Sequence, residues 1–126
     1  MSNVVIYTEQ APKAVGTYSQ AVMAGNTVYL SGQLGIAPTD GVLLEGFKSQ
    51  AHQMFRNLRE VCQAAGGSLE CIVKLGVFLT DMKNFAELNQ IMGEYFTEPY
   101  PARSAVQVAG LPRGGLVEAD AVMVVS

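Results

Sequence analysis

The clearest pattern in the chain runs from about Gly46 to Ala65. There Phe47, Ala51, Met54, Phe55, Leu58, Val61, Cys62 and Ala65 recur at steps of three and four residues. That spacing lays one apolar stripe along a helix. Lys48, Gln53, Arg56, Arg59, Glu60 and Gln63 fall largely off the stripe, on the side left to water. Gly66-Gly67 then supplies the left-handed residue at which helices stop. A second stripe follows from Asn84 through Phe85, Leu88, Met92, Tyr95 and Phe96, closed by Pro99 and Pro101. Asn84, with Glu87 three residues on, has the form of a capping box.

Shorter apolar or alternating runs predict strands. Val4–Tyr7 is the first, and Ser19–Ala24 and Thr27–Ser31 flank Gly25-Asn26, a two-residue hairpin signal. Pro12 and Gly16 mark an irregular stretch ending at Tyr18, and Gly32–Gly41, with Pro38 and Asp40, reads as loop. Ser68 caps a short turn before a strand at Val73–Leu79. Ala102–Ala109 and Leu116–Val125 read as two more strands. Joined by Leu111-Pro112-Arg113-Gly114-Gly115, they are expected to pair as an antiparallel hairpin.

This order predicts a two-layer α+β fold, with two helices packed on one face of a mixed β-sheet, in a single domain over residues 1–126. Val117, Ala119, Ala121, Met123 and Val125 alternate with Glu118, Asp120, Val122 and Val124, so the opposite face is also partly apolar. Two helices cover one side only. The second side then meets another copy of the chain, or the N-terminal residues fold over it.

Composition narrows the function. With 49% hydrophobic and 15% charged residues, the 126-residue chain is globular rather than disordered. A net charge of −3 argues against a nucleic-acid partner, which needs a basic face to release phosphate counterions. Met1-Ser2-Asn3 leads directly into Val4-Val5-Ile6-Tyr7 without the basic and long apolar segments of a signal peptide, so a cytoplasmic location is expected and no membrane contact. Cys62 and Cys71 have no metal-type spacing and are expected to be reduced thiols, Cys62 as core filling. His52 is the only histidine, has no ligand cluster around it and reads as a surface residue; no metal or cofactor is expected. Met54, Met82, Met92 and Met123 read as packing. Lys13 and Arg113 read as solvated loop charges able to draw anions toward a cleft.

The candidate chemistry lies in the last two strands. Arg103, in Pro101-Ala102-Arg103-Ser104-Ala105-Val106, is costly in a strand unless it faces water, a carboxylate or an anionic ligand. Glu118, in Leu116-Val117-Glu118-Ala119-Asp120, is the carboxylate a hairpin would bring near it. Two readings follow: a cross-strand ion pair, or a small-molecule site with a guanidinium fork for a carboxylate and a base beside it.

Three blocks, in order, carry a resemblance. They are Ala11-Pro12-Lys13-Ala14-Val15-Gly16-Thr17-Tyr18-Ser19-Gln20, then Ser31-Gly32-Gln33, then Pro101-Ala102-Arg103-Ser104-Ala105 with Leu111-Pro112 and Glu118. Together they closely resemble the Rid (reactive intermediate deaminase, or YjgF) family, nearest its RidA type, over almost the whole chain. The resemblance implies a chorismate-mutase-like fold and a homotrimer with its sites in clefts between subunits. It implies hydrolysis of reactive enamines and imines, chiefly 2-aminoacrylate and 2-iminopropionate, to a 2-oxo acid and ammonia, a role in metabolite damage control that needs no metal or cofactor.

Residue by residue, the resemblance makes Glu118, Arg103 and Tyr18 catalytic. Arg103 would grip the substrate carboxylate, helped by the backbone of Ala105; Glu118 would position water and take its proton; Tyr18 would close the site. Ser31, Gly32 and Asn89 would face the substrate. Read without the family, Ser31 makes a turn hydrogen bond, Asn89 is solvated and Tyr18 is an amphipathic edge residue. Ala105 stands where many relatives carry cysteine, so thiol-dependent functions are not expected. Thr97-Glu98-Pro99-Tyr100 is shorter than in many members, which bears on the pocket mouth, and Ala119 is smaller than the usual residue behind the base. The alternatives are a non-catalytic trimer that binds 2-oxo acids or partners, needing Arg103 but not Glu118, and the RNA-cleaving, translation-inhibiting or holdase activities suggested for some relatives.

Overall fold

In the computed structural model, which describes residues 3–126, the expected layers form. Met1 and Ser2, where the reading of the N-terminus began, lie outside the described residues. The elements are β1 (Val4–Ile6), β2 (Ala21–Ala24), β3 (Thr27–Leu34), α1 (Phe47–Ala64), β4 (Ile72–Leu79), α2 (Phe85–Met92), β5 (Ala102–Gln107) and β6 (Val117–Val124). The strands make one six-stranded mixed sheet, β1-β2-β3-β6-β4-β5, and α1 lies across β3 and β6 beside α2.

The stripe of α1 is the centre of the core. Ala51, Met54, Phe55, Leu58, Val61 and Cys62 have no exposed surface, and each large side chain among them contributes about 1.5–3 kcal/mol by burial. Gly66, at φ 90°, ends the helix in a Schellman arrangement: Gly67 N–H donates to Cys62 O and Gly66 N–H to Gln63 O. Alternate residues of the strands complete the same core: Val28 and Leu30, Leu75, Val77 and Leu79, and Val117, Ala119 and Met123. Phe55 stacks on Tyr95 and meets Phe96 edge-on, tying α1 to the segment after α2.

The β2–β3 hairpin turns at Gly25-Asn26 as expected, with Gly25 at φ 63° and Ala24 opposite Thr27. The expected hairpin of the last two strands does not form. β5 pairs with β4 in parallel at the sheet edge, while β6 runs antiparallel between β3 and β4. The reason lies in composition. β6 is apolar toward the helices and carries Val122 and Val124 on its other side, so it suits the middle of the sheet; β5, with Arg103, Ser104 and Gln107, suits an edge. Residues 108–116, including a 3₁₀ turn at Pro112–Gly114, carry the chain past β4.

Four smaller expectations are corrected. Gly32–Leu34 is not loop but continues β3 beyond a bulge between Leu30 and Gln33. Asn84 makes no capping bond, because it already lies in a 3₁₀ turn, Met82–Asn84, which Asp81 caps by accepting from Lys83 N–H at 2.9 Å. The second helix also stops sooner than its stripe. It ends at Met92 before Gly93, and Tyr95 and Phe96 pack from the turns that follow. Met82 is exposed rather than packed, whereas Met54, Met92 and Met123 are buried.

Both helices lie on one face, and the other face is left open. Val5, Tyr29, Val106 and Val124 are exposed, and β-register sets Val5 beside Val22, Tyr29 beside Val122 and Thr27 beside Val124. The N-terminal segment leaves these residues uncovered, and β1 extends the same sheet at its edge.

Candidate functional site

The residues singled out in the sequence fall into two clusters. Arg103 is in register with Leu75, which is fully buried beneath the helices, so its side chain leaves the sheet on the helix side. There Nη1 donates to Asn89 Oδ1 at 2.6 Å and to Met92 Sδ at 3.6 Å, and the guanidinium lies 5.4 Å from the centre of the Phe85 ring. Three residues of α2 thus hold the arginine. Arg103, Asn89 and Met92 line, with Gly93, Tyr100 and Pro101, a cleft of about 480 Å³.

Glu118 lies on the opposite side. It alternates with the buried Val117 and Ala119 and is in register with Phe78 and Leu34, so it stands on the open face. Its carboxylate rests directly over Gly32: a Cβ added there would sit 2.8 Å from Oε2. Glu118 and Gly32 share a cleft of about 410 Å³ with Tyr18, Lys13, Gln33, Leu34, Pro38, Asp40 and Arg113. Tyr18 is half exposed, and its Oη accepts a long bond from Val15 N–H at 3.4 Å. Burial pushes the Glu118 carboxyl above the usual carboxylate value, and the neighbouring charge of Asp120 pushes it further.

The cross-strand ion pair is therefore absent. Among the described residues the one salt bridge is Lys83–Asp81, at the surface. Arg103 is matched by a neutral amide and Glu118 by no cation, so each charge remains available to something outside the chain.

The remaining candidates play mixed parts. Ser31 Oγ donates to the Ser19 carbonyl and Ser31 N–H to the Gln20 carbonyl, which fastens the segment bearing Tyr18 to the bulge of β3. Gln20, buried, secures the rest of that segment by bonding Thr8 N–H and the carbonyls of Thr8 and Pro12. Ala105 is half buried on the same side of β5 as Arg103. Arg113, at φ 63°, donates Nη2 to Gly41 O and so ties two loops at the cleft rim.

His52, expected at the surface, is half buried, with Nδ1 2.8 Å from Tyr95 Oη. Cys62 and Cys71 are free thiols; burial and then the proximity of Cys71 push Cys62 up to about 12, so it is inert. Among the described residues no group of three or more His, Cys, Asp or Glu is placed to hold a metal, and no helix is long and apolar enough to cross a membrane.

Sequence reading missed two residues, Gln50 and Asn57. Both are polar, and both are buried on the core side of α1, where Asn57 bonds the backbone of Leu34 at the Glu118 cleft and Gln50 that of Leu116 just before β6. The signal was present: they stand four residues before and three after Met54, on the stripe itself.

Comparison with known proteins bears on the fold and the family. Residues 8–125 match the family described as Endoribonuclease L-PSP. A RutC family protein of Pyrococcus horikoshii is 44% identical over 119 residues, 94% of each chain. A 2-iminobutanoate/2-iminopropanoate deaminase of Mus musculus is 46% identical over 121 residues, 95% of this chain and 90% of that one. The crystal structure of RidA from an Antarctic Psychrobacter superposes with a TM-score of 0.96 at 56% identity, covering 97% of this chain and 99% of that chain. Fold and sequence together define a Rid-type α+β protein. The chain belongs to the Rid (YjgF) family, and its likeness to the RidA type extends over nearly the whole sequence.

Proposed function

We propose that this chain, a single Rid-type domain of the cytoplasm, is a hydrolytic deaminase of 2-imino acids and their enamine tautomers, working as a homotrimer. The observation that carries the reading is that Arg103 and Glu118, for which a cross-strand ion pair is one of two readings from sequence, are each without an opposite charge among the described residues. A half-buried carboxylate with a raised pKa and no cation beside it destabilises the fold, and such groups are kept where they do chemistry.

The two charges leave opposite sides of the sheet, so the site joins Arg103 of one copy to Glu118 of the next. The exposed apolar sheet face supplies the surface on which copies pack. Arg103, held flat by Phe85, Asn89 and Met92, takes the substrate carboxylate through two parallel hydrogen bonds, with the Ala105 backbone alongside. This sets the C=N carbon over the neighbouring Glu118. Water adds to the carbon of the protonated imine while Glu118 takes the water's proton. Glu118 passes that proton to the carbinolamine nitrogen, and the C–N bond then breaks as the carbinol O–H gives its proton back to Glu118, leaving the 2-oxo acid and ammonia. Tyr18 lies over the same cleft and donates to the water or the departing nitrogen, and Gly32 leaves the carboxylate its room. Asn89 acts by orienting Arg103, and Ser31 by fixing the Tyr18 segment.

The test is pyruvate release when 2-aminoacrylate is generated in situ by a serine or cysteine lyase. Wild type should accelerate it over buffer, and neither Arg103→Ala nor Glu118→Ala should. A wild type that binds 2-oxo acids without acceleration, and a Glu118→Ala variant that loses nothing, would support the non-catalytic reading instead.

A further inference from the structure

The sheet is irregular where it meets the Glu118 cleft: β3 bulges before Gln33, and the chain leaves the ladder at Gly35. Backbone groups there need partners, and two amide side chains on the core side of α1 supply them. Asn57, with no exposed surface, donates Nδ2 to Leu34 O at 3.1 Å and Ile36 O at 2.9 Å, and accepts from Gln53 Nε2 at 2.8 Å. Gln50, 3% exposed, donates to Leu44 O at 2.9 Å and accepts from Leu116 N–H at 2.8 Å.

Burying amides on a packing stripe costs free energy that apolar residues would not. Asn57 bonds the backbone of two cleft-lining residues, Leu34 and Ile36, and Gln50 bonds Leu44, beyond the end of β3, and Leu116, just before β6. Leu34 is in register with Glu118, and Leu116 precedes it by two residues. The wall also sits directly on the helix, because a Cβ at Gly35 would overlap the Gln50 backbone.

We propose that Gln50 and Asn57, braced by Gln53, are positioning residues that hold the end of β3 and the start of β6 at the spacing that keeps the Glu118 carboxylate against Gly32. They touch no substrate. The kinetic consequence rests on the deaminase reading; the structural one does not.

The experiment follows the Glu118 carboxyl carbon by NMR titration in ¹³C-glutamate-labelled protein, its signal assigned by Glu118→Gln. Wild type is compared with Asn57→Leu, Gln50→Met and Gln53→Leu. The other charged or titratable side chains near Glu118 (Tyr18 and Lys13 before β2 and Asp40 and Arg113 in the loops, all at the cleft, and Asp120 two residues along β6) are unchanged by these substitutions, and β4 presents the uncharged Phe78. A moved midpoint therefore reports a moved carboxylate. The expected result is a Glu118 midpoint that falls toward that of a solvated glutamate, with kcat down about tenfold and KM unchanged.

A wild-type midpoint in folded variants that merely melt earlier would overturn the proposal and leave the amides as satisfied core groups. If Asn57→Leu and Gln50→Met fail to fold, Gln53→Leu decides by the same midpoint, since its side chain is only partly buried. Should wild type lack deaminase activity, the functional reading falls while the titration still judges this one.

Discussion

Arg103 and Glu118 leave the sheet from opposite faces, one beneath α2 and the other on the open side over Gly32. No rotation of side chains brings them together within one copy, because a strand's alternation fixes the face of each. A site that uses both has to be built from two copies.

Complementation tests this directly. Arg103→Ala and Glu118→Ala proteins are each expected to be inactive. Unfolded together in equal amounts and refolded, they should recover about one quarter of wild-type activity, the share of interfaces that receive an intact Arg103 and an intact Glu118. A mixture that stays inactive, although size-exclusion and mass measurements show mixed assemblies, would place both residues in one copy.

The pH dependence follows from the environment of Glu118. Its carboxyl is raised by burial and then by Asp120, and it must be ionised to accept a proton from water. The acid limb of kcat/KM should therefore lie above the value of about 4.3 of an ordinary glutamate. Asp120→Asn removes one cause and should move the limb to lower pH without abolishing the reaction. Stability has the opposite dependence. A carboxyl with a raised folded pKa stabilises below its unfolded value, and that contribution is lost as pH rises through the folded one. Glu118→Gln should then melt above wild type near neutral pH, and the difference should close below about pH 4, as calorimetry across pH would show.

What the sequence made legible was local. The stripe of α1 and its Gly66 stop, and the Gly25-Asn26 hairpin, depend on residues within a few positions of one another. The partner of β5 does not: periodicity says that a strand exists, and only the apolar content of both faces of β6 says which strand takes the middle. The same limit applied to the site. The motif residues could be picked out one by one, yet an antiparallel hairpin would have set Arg103 beside Glu118, and the true topology sets them on different faces. Gln50 and Asn57 were hidden for a related reason. A polar residue on an apolar stripe has meaning only once the irregular backbone it satisfies is known.

Arg103 is held in place before any ligand arrives, and among the described residues Asn89 is its one oxygen partner. Asn89→Ala leaves the guanidinium its ring and sulfur contacts but frees its terminal nitrogen. KM for 2-iminopropionate should rise about tenfold, near 1.4 kcal/mol, with the fold unchanged. Arg103→Lys keeps the charge and loses the planar fork, so it should recover only a small part of what Arg103→Ala removes. Steady-state kinetics on the three variants separates orientation from charge; equal effects of Asn89→Ala and Arg103→Ala would instead make Asn89 a direct ligand of the substrate.

Two glycines three residues apart should fail in different ways. At Gly32 an added methyl meets the end of the Glu118 side chain, which can swing aside. Gly32→Ala should therefore fold with near-normal melting and lose most of its activity, since the carboxylate is moved off its place. At Gly35 the same methyl meets the backbone of Gln50 in the first turn of the packed helix α1, which cannot move aside alone. Gly35→Ala should lower the melting temperature by roughly 10 °C, the cost of overpacking a core of this size. Thermal melts and pyruvate release measured side by side distinguish the two. If Gly32→Ala keeps full activity, the contact between Gly32 and Glu118 does not set the position of the base.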